Sequence, residues 1–139
     1  MNEAVLLIYH MDEARTAALK AVAETFGIRT VSVGDAEGSV PLGLLARAGD
    51  PMKIIRESAL RSGKPGKVPA IDEEMIVMAG VGETLFSQFL SALRETGLRI
   101  DLKAVLTDEN IYWSGEMLQE ELKKEREAYR KAKGSSLER

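Results

Sequence analysis

Two segments of the chain, Val5–Tyr9 (VLLIY) and Met75–Ala79 (MIVMA), are apolar at every position. A strand with one wet face alternates, whereas one that is apolar throughout is dry on both sides, so both segments predict central strands. Arg29–Val33 (RTVSV) alternates, and residues 100–106 (IDLKAVL) put Ile100, Leu102, Ala104 and Leu106 on one side and Asp101 and Lys103 on the other. These two predict edge strands. Between the strands the period changes to that of a helix. Asp12 stands as an N-cap before a stripe of Ala18, Leu19, Val22 and Phe26, and Gly27 is placed to stop it. Glu83–Thr96 carries Leu85, Phe86, Phe89, Leu90 and Leu93 on one face, with Gly97 behind it. A short helix is expected between Pro41 and Gly49. Asp50 and Pro51 open another, with Ile54, Ile55, Ala59 and Leu60 as its apolar residues and Gly63 as its stop. A last helix begins at Ser114, its cap, and runs to about residue 133.

The order is therefore β-α-β-α, a linker, and β-α-β-α again. The linker is GKPGKVP, residues 63–69, and it divides one α/β domain over residues 1–133 into halves 1–62 and 70–133; residues 134–139 (GSSLER) read as a disordered tail. Sliding one half over the other by 70 positions pairs Glu13 with Glu83, Gly27 with Gly97 and Arg29 with Arg99, and no other identical residues over the first strand, helix and second strand. Right-handed crossovers and the two dry strands lead to a four-stranded, mainly parallel sheet in the order 2-1-3-4 with helices on both faces. A ferredoxin-like α+β sheet, ordered 4-1-3-2, is the alternative, since it also centres the first and third strands.

Composition narrows the function classes. The 139 residues contain no cysteine and one histidine, which removes thiol chemistry and leaves a poor set of metal ligands, so neither a metal nor a cofactor is expected. No apolar run approaches the ~20 residues of a membrane span, and Ala4 to Tyr9 is too short and lacks the basic lead-in of a signal peptide. A cytoplasmic protein without membrane contact is the expectation. The net charge of −3 argues against a broad nucleic-acid surface. A local excess of positive charge at Lys53, Arg56, Arg61, Lys64 and Lys67 is the one strip that would suit phosphates.

In an all-parallel sheet, ligands bind beyond the carboxyl ends of the strands. That rim would hold His10 and Asp12 after the first strand, Gly80 and Gly82 after the third, and Thr107 and Asn110 after the fourth. His10 beside Asp12 has the makings of a general base. The Gly80-Val81-Gly82 turn before a helix offers backbone N–H groups to an anion, although it lacks the third glycine of a dinucleotide fingerprint. Tyr112 and Trp113 supply a stacking surface next to Thr107 and Asn110. Each has a structural counterpart: a packed imidazole, a tight turn, a capped turn, and a ring that staples the last helix to the sheet.

The stretch EEMIVMAG, the run LSALRETGLRIDLKAVLT, then Asn110, Trp113 and the closing EELKKERE resemble domain of unknown function 3783, over about residues 72–127. Pro41, Leu42 and Gly43 are similar to what precedes that domain. The resemblance implies a small bacterial-type cytoplasmic protein and brings no activity, cofactor or catalytic residue with it. Three functions follow as expectations. The first is a non-catalytic module binding a small ligand or a protein partner, including a second copy paired along an edge strand. The second is a small enzyme acting on an anionic substrate, which needs His10, Asp12 and the Gly80–Gly82 turn on one rim. The third is nucleic-acid binding through the strip at residues 53–67.

Overall fold

The computed structural model describes residues 3–61 and 68–137. The elements are β1 (Val5–Tyr9), α1 (Glu13–Thr25), β2 (Arg29–Val33), a 3-10 turn (Asp35–Glu37), α2 (Leu42–Ala46), α3 (Pro51–Arg61), β3 (Met75–Ala79), α4 (Glu83–Thr96), β4 (Leu102–Val105), a second 3-10 turn (Asn110–Tyr112) and α5 (Gly115–Leu137). They form one four-stranded sheet in the order β2-β1-β3-β4, with the two dry strands central as their composition requires. The sheet has a core on each side. Leu6, Ile8, Ile76 and Met78 meet Leu19 and Ala23 of α1 and Phe89 and Leu93 of α4. Phe26 and Phe89 pack edge to face there, with centroids 6.1 Å apart. On the other side Val5, Leu7, Tyr9, Met75 and Val77 meet Leu42 and Ala46 of α2 and Leu118 of α5. Among the described residues no helix is long and apolar enough to cross a membrane.

The strand order is the expected one, but the directions are not. β1 with β2 and β3 with β4 are parallel pairs, whereas β1 and β3 run antiparallel, so the sheet is mixed and not mainly parallel. Each β-α-β unit fixes the direction of its own two strands through its helix crossover. The direction of one unit relative to the other depends on the connection through α2 and α3. A strand that is apolar on both faces carries no mark of its direction, so VLLIY and MIVMA fit either arrangement equally.

The antiparallel pair gives the molecule a local two-fold axis. Leu7 lies opposite Val77, Val5 opposite Ala79 and Tyr9 opposite Met75, which relates residue i to residue i+70. The same offset pairs the first residues of α1 and α4, the buried Leu19 with Phe89, and Ala23 with Leu93. It also pairs the left-handed backbones of His10 (φ 56°) and Gly80 (φ 70°). From β4 onward the offset is 73, and Pro41 forms an antiparallel bridge with Ser114 across the axis. The three extra residues lie before β4: α4 has 14 residues against 13 in α1, and residues 97–101 replace the shorter link 26–28.

Two further expectations change. α5 continues to Leu137 instead of stopping near residue 133. α3 buries Ile54 at 2% exposure, yet Ile55 and Leu60, expected on the same stripe, stand 51% and 74% exposed. Of the expected linker, residues 63–67 lie outside the described residues, as do Glu138 and Arg139 of the tail. The phenol of Tyr9 is fully enclosed beneath Gly115, whose position a Cβ would contest at 2.5 Å from the ring. Burial, with Glu37 nearby, pushes its pKa up, so it stays neutral.

Candidate functional site

Because β1 and β3 are antiparallel, the single rim expected from sequence divides in two. His10 and Asp12 follow the end of β1 and share their edge with Gly34 and Asp35 after β2. Gly80, Gly82 and Glu83 follow the end of β3, at the opposite edge, with Thr107 and Asn110 after β4. The arrangement required of an enzyme using His10, Asp12 and the Gly80–Gly82 turn together is therefore not formed.

At the first edge, a cleft of about 560 Å³ is lined by His10, Asp12, Thr16, Ser32, Asp35 and Glu74. Its polar groups are largely occupied. Asp12 Oδ1 accepts the Arg15 backbone N–H at 2.8 Å and caps α1. The Arg15 guanidinium grips both oxygens of Glu74, at 2.6 and 2.9 Å, and donates to the carbonyl of Arg99 at 2.7 Å. His10 holds Asp35 across 3.4 Å. At the opposite edge Gly80 is a close-packing position. A Cβ there would stand 2.4 Å from the Glu3 carbonyl oxygen, so only glycine fits beneath that backbone. Gly82 precedes α4 and has open space around it.

Thr107 and Asn110 interlock. The Thr107 hydroxyl accepts the N–H of Asn110 at 3.0 Å, and Asn110 Oδ1 accepts the N–H of Thr107 at 2.8 Å. The remaining end of the Asn110 amide, Nδ2, donates to the carbonyl of Val105 at 3.1 Å. Asn110 is 8% exposed, and both ends of its amide are satisfied by backbone. These two residues shape the exit from β4. The turn then delivers Tyr112 and Trp113 to the face of α3. The carbonyl of Trp113 accepts the N–H of Leu42, and Ser114 Oγ accepts the N–H of Met117, the capping role predicted for it.

Residues 74–129 match the family model of a domain of unknown function, DUF3783. The DUF3783 match runs from the residue before β3 into α5, which is one of the two units related by the local axis, and it agrees with the resemblance carried by Asn110, Trp113 and the EEMIVMAG strand. No curated protein and no solved structure matches the chain.

Within the DUF3783 segment, Tyr112 and Trp113 form one wall of a groove of about 450 Å³ whose other wall is α3. Pro41 and Leu44 continue its lining on one side and Met117 on the other. Ser58 donates its hydroxyl to the carbonyl of Tyr112 at 2.8 Å and fastens α3 to the corner. The surface is mainly apolar, with Ser39 and Glu116 among its polar members. Such a surface offers contact area and stacking. Tyr112 and Trp113 are expected from sequence as a stacking surface, whereas Ile55 and Ser58, which complete the groove, are not. The available signal was that α3 carries more apolar residues than one buried stripe can use.

Proposed function

We propose that this protein is a non-catalytic binding module that docks an amphipathic segment of a partner protein, apolar on one face and acidic at its flanks, along α3 and the Tyr112/Trp113 groove. The observation that carries this reading is the second apolar face of α3. At about 100° per residue, Ile55, Ala59, Met52, Arg56 and Leu60 fall side by side on one arc of the helix, away from the buried Ile54. Met52, Ile55 and Leu60 are 66%, 51% and 74% exposed, and Val68 beside them 38%. Exposed apolar residues scattered singly need no explanation, but a set aligned along one helix face does.

A small ligand would fill the groove and leave Met52 and Leu60 wet, because neither lines it. A helix or extended segment laid along α3 covers both. Lys53 and Arg56 are exposed on the same helix and call for acidic flanks on the partner. The basic strip thus serves protein contact; the side chain of Arg61, and Lys64 and Lys67, fall outside the residues whose placement is described.

Trp113 is the only tryptophan, so its emission reports on this groove directly. The test titrates the full chain with a synthetic amphipathic helix bearing leucines on one face and glutamates at its flanks. Saturable change in Trp113 emission is expected, weakened at least tenfold by Ile55→Asp, a surface change that leaves the circular dichroism intact. No saturation, or equal affinity in the variant, overturns the proposal. So does saturation by indole alone, which would mark a small-ligand site, or emission and mass that change with protein concentration alone, which would mark a second copy as the occupant.

A further inference from the structure

We infer that the hollow between the end of α4 and the start of β4 is a second binding site, for a small phosphomonoester with a short apolar body. It stands apart from the α3 groove and rests on different observations. The hollow measures about 220 Å³; its floor is apolar, from Leu90, Leu98 and Ile100, and its rim carries Arg94, Arg99 and Lys103. Two of the three cations are held in place without being neutralised. Lys103 Nζ donates to the carbonyl of Ile100 at 2.5 Å and Arg94 Nη2 donates to Ser91 Oγ at 3.1 Å, while the backbone of Arg99 is fixed by its carbonyl, which accepts from Arg15 at 2.7 Å. Among the described residues none of the three forms an ion pair, whereas Arg15, Arg29, Lys123 and Arg126 all do. The one acid in the lining, Asp101, is turned to Arg126 at 3.6 Å.

The local two-fold supplies an internal reference. At the positions related to Leu90 and Arg94 the first unit has Lys20 and Glu24. By strand register Lys103 corresponds to Thr30, since Leu102 pairs with Met75 as Arg29 pairs with Val5. The three extra residues of the second unit also fall here. One unit therefore has an acid and a neutral residue where the other has Arg94 and Lys103 over an apolar floor, and the third cation, Arg99, lies in the inserted stretch that the first unit lacks. Complementing the negative end of α4 accounts for Arg94 alone. Arg99 and Lys103 lie beyond the Gly97 cap, where the N–H groups of Gly97 and Leu98 already bond the carbonyls of Arg94 and Leu93.

Three guanidinium and ammonium groups suit a dianionic oxyanion better than a single carboxylate. The volume is below the ~300 Å³ at which drug-sized ligand pockets begin, which restricts the guest to one phosphate and a few carbons. The test titrates the full chain with butyl phosphate at low ionic strength and follows backbone amide shifts. Saturable shifts confined to residues 90–103 are expected, at least tenfold weaker in Arg99→Gln and in Lys103→Gln, and unchanged in Lys20→Gln and Ile55→Asp. Shifts that fail to saturate and spread to Arg130 and Lys131 would reduce the effect to general screening and overturn the site. Equal binding in Lys103→Gln, or butyrate binding as tightly as butyl phosphate, would overturn it as well.

Discussion

Asn110 has the side chain of a ligand-binding residue and uses both ends of it on the backbone of its own turn. From sequence, a polar residue just past a strand looks the same whether it faces a ligand or closes a loop; the distinction lies in the distances to Thr107 and Val105, which no pattern encodes. His10 illustrates the same limit. Its place after a dry strand was readable, but its left-handed φ of 56°, at the position where the other unit has Gly80, was not. Removing the Asn110 amide leaves an N–H and a carbonyl of the β4 exit without partners. Asn110→Ala is expected to cost about 2–3 kcal/mol in urea denaturation, since each buried group left unpaired costs about 1–3 kcal/mol. Asn110→Asp keeps the acceptor for Thr107 and should fall between. A loss below about 0.5 kcal/mol for the alanine variant, the level of a neutral surface change, would remove Asn110 from this role.

Among the elements, strands and most helices followed from periodicity because burial imposes it: the dry runs became β1 and β3, and Gly27 and Gly97 closed α1 and α4. In α3 a single apolar stripe does not account for the groove. Its Ile54 faces inward while Ile55, one residue on, turns outward. α5 also does something its composition concealed. Gln119, 2% exposed, accepts the N–H of Asp72 through Oε1 and donates from Nε2 to the carbonyl of Glu73, each at 3.0 Å. Beside it the Arg126 guanidinium spans both oxygens of Glu73 at 2.8 and 2.9 Å. The lead-in to β3 is thus pinned to α5. The Arg126 hydrogen bond holds the Glu73 carboxyl below its ordinary value of 4.5. A depressed folded-state pKa adds stability above the ordinary value and loses it as pH falls through the folded one. The stability gap between the parent and Glu73→Gln should therefore be widest near neutrality and shrink below about pH 4.5. Glu73 is 37% exposed, so that gap is under about 1 kcal/mol. A gap that widens on acidification would contradict the pairing.

For the molecule as a whole, the decisive feature is the direction of one half against the other. Composition placed both dry strands at the centre and the alternating ones at the edges, as found. Direction was beyond it, because Val5–Tyr9 and Met75–Ala79 are equally apolar read from either end. The consequence reaches every candidate residue: His10 and Asp12 share one edge, Gly80, Gly82, Thr107 and Asn110 the other, and Tyr112 and Trp113 line the α3 groove, Trp113 packing against the sheet core as well. The axis between Leu7 and Val77 also relates the DUF3783 segment to a first unit built on the same plan with very few identical residues. The chain has no cysteine, so Glu13→Cys with Glu83→Cys, both exposed at the starts of α1 and α4, gives a clean pair of spin labels. Antiparallel halves put these helix starts at opposite ends of the sheet, a helix length apart, so electron–electron resonance should return about 20 Å or more. A separation near the ~10 Å of neighbouring helix axes would mean parallel halves. It would also restore the single rim and undo the division of the candidate residues between two edges.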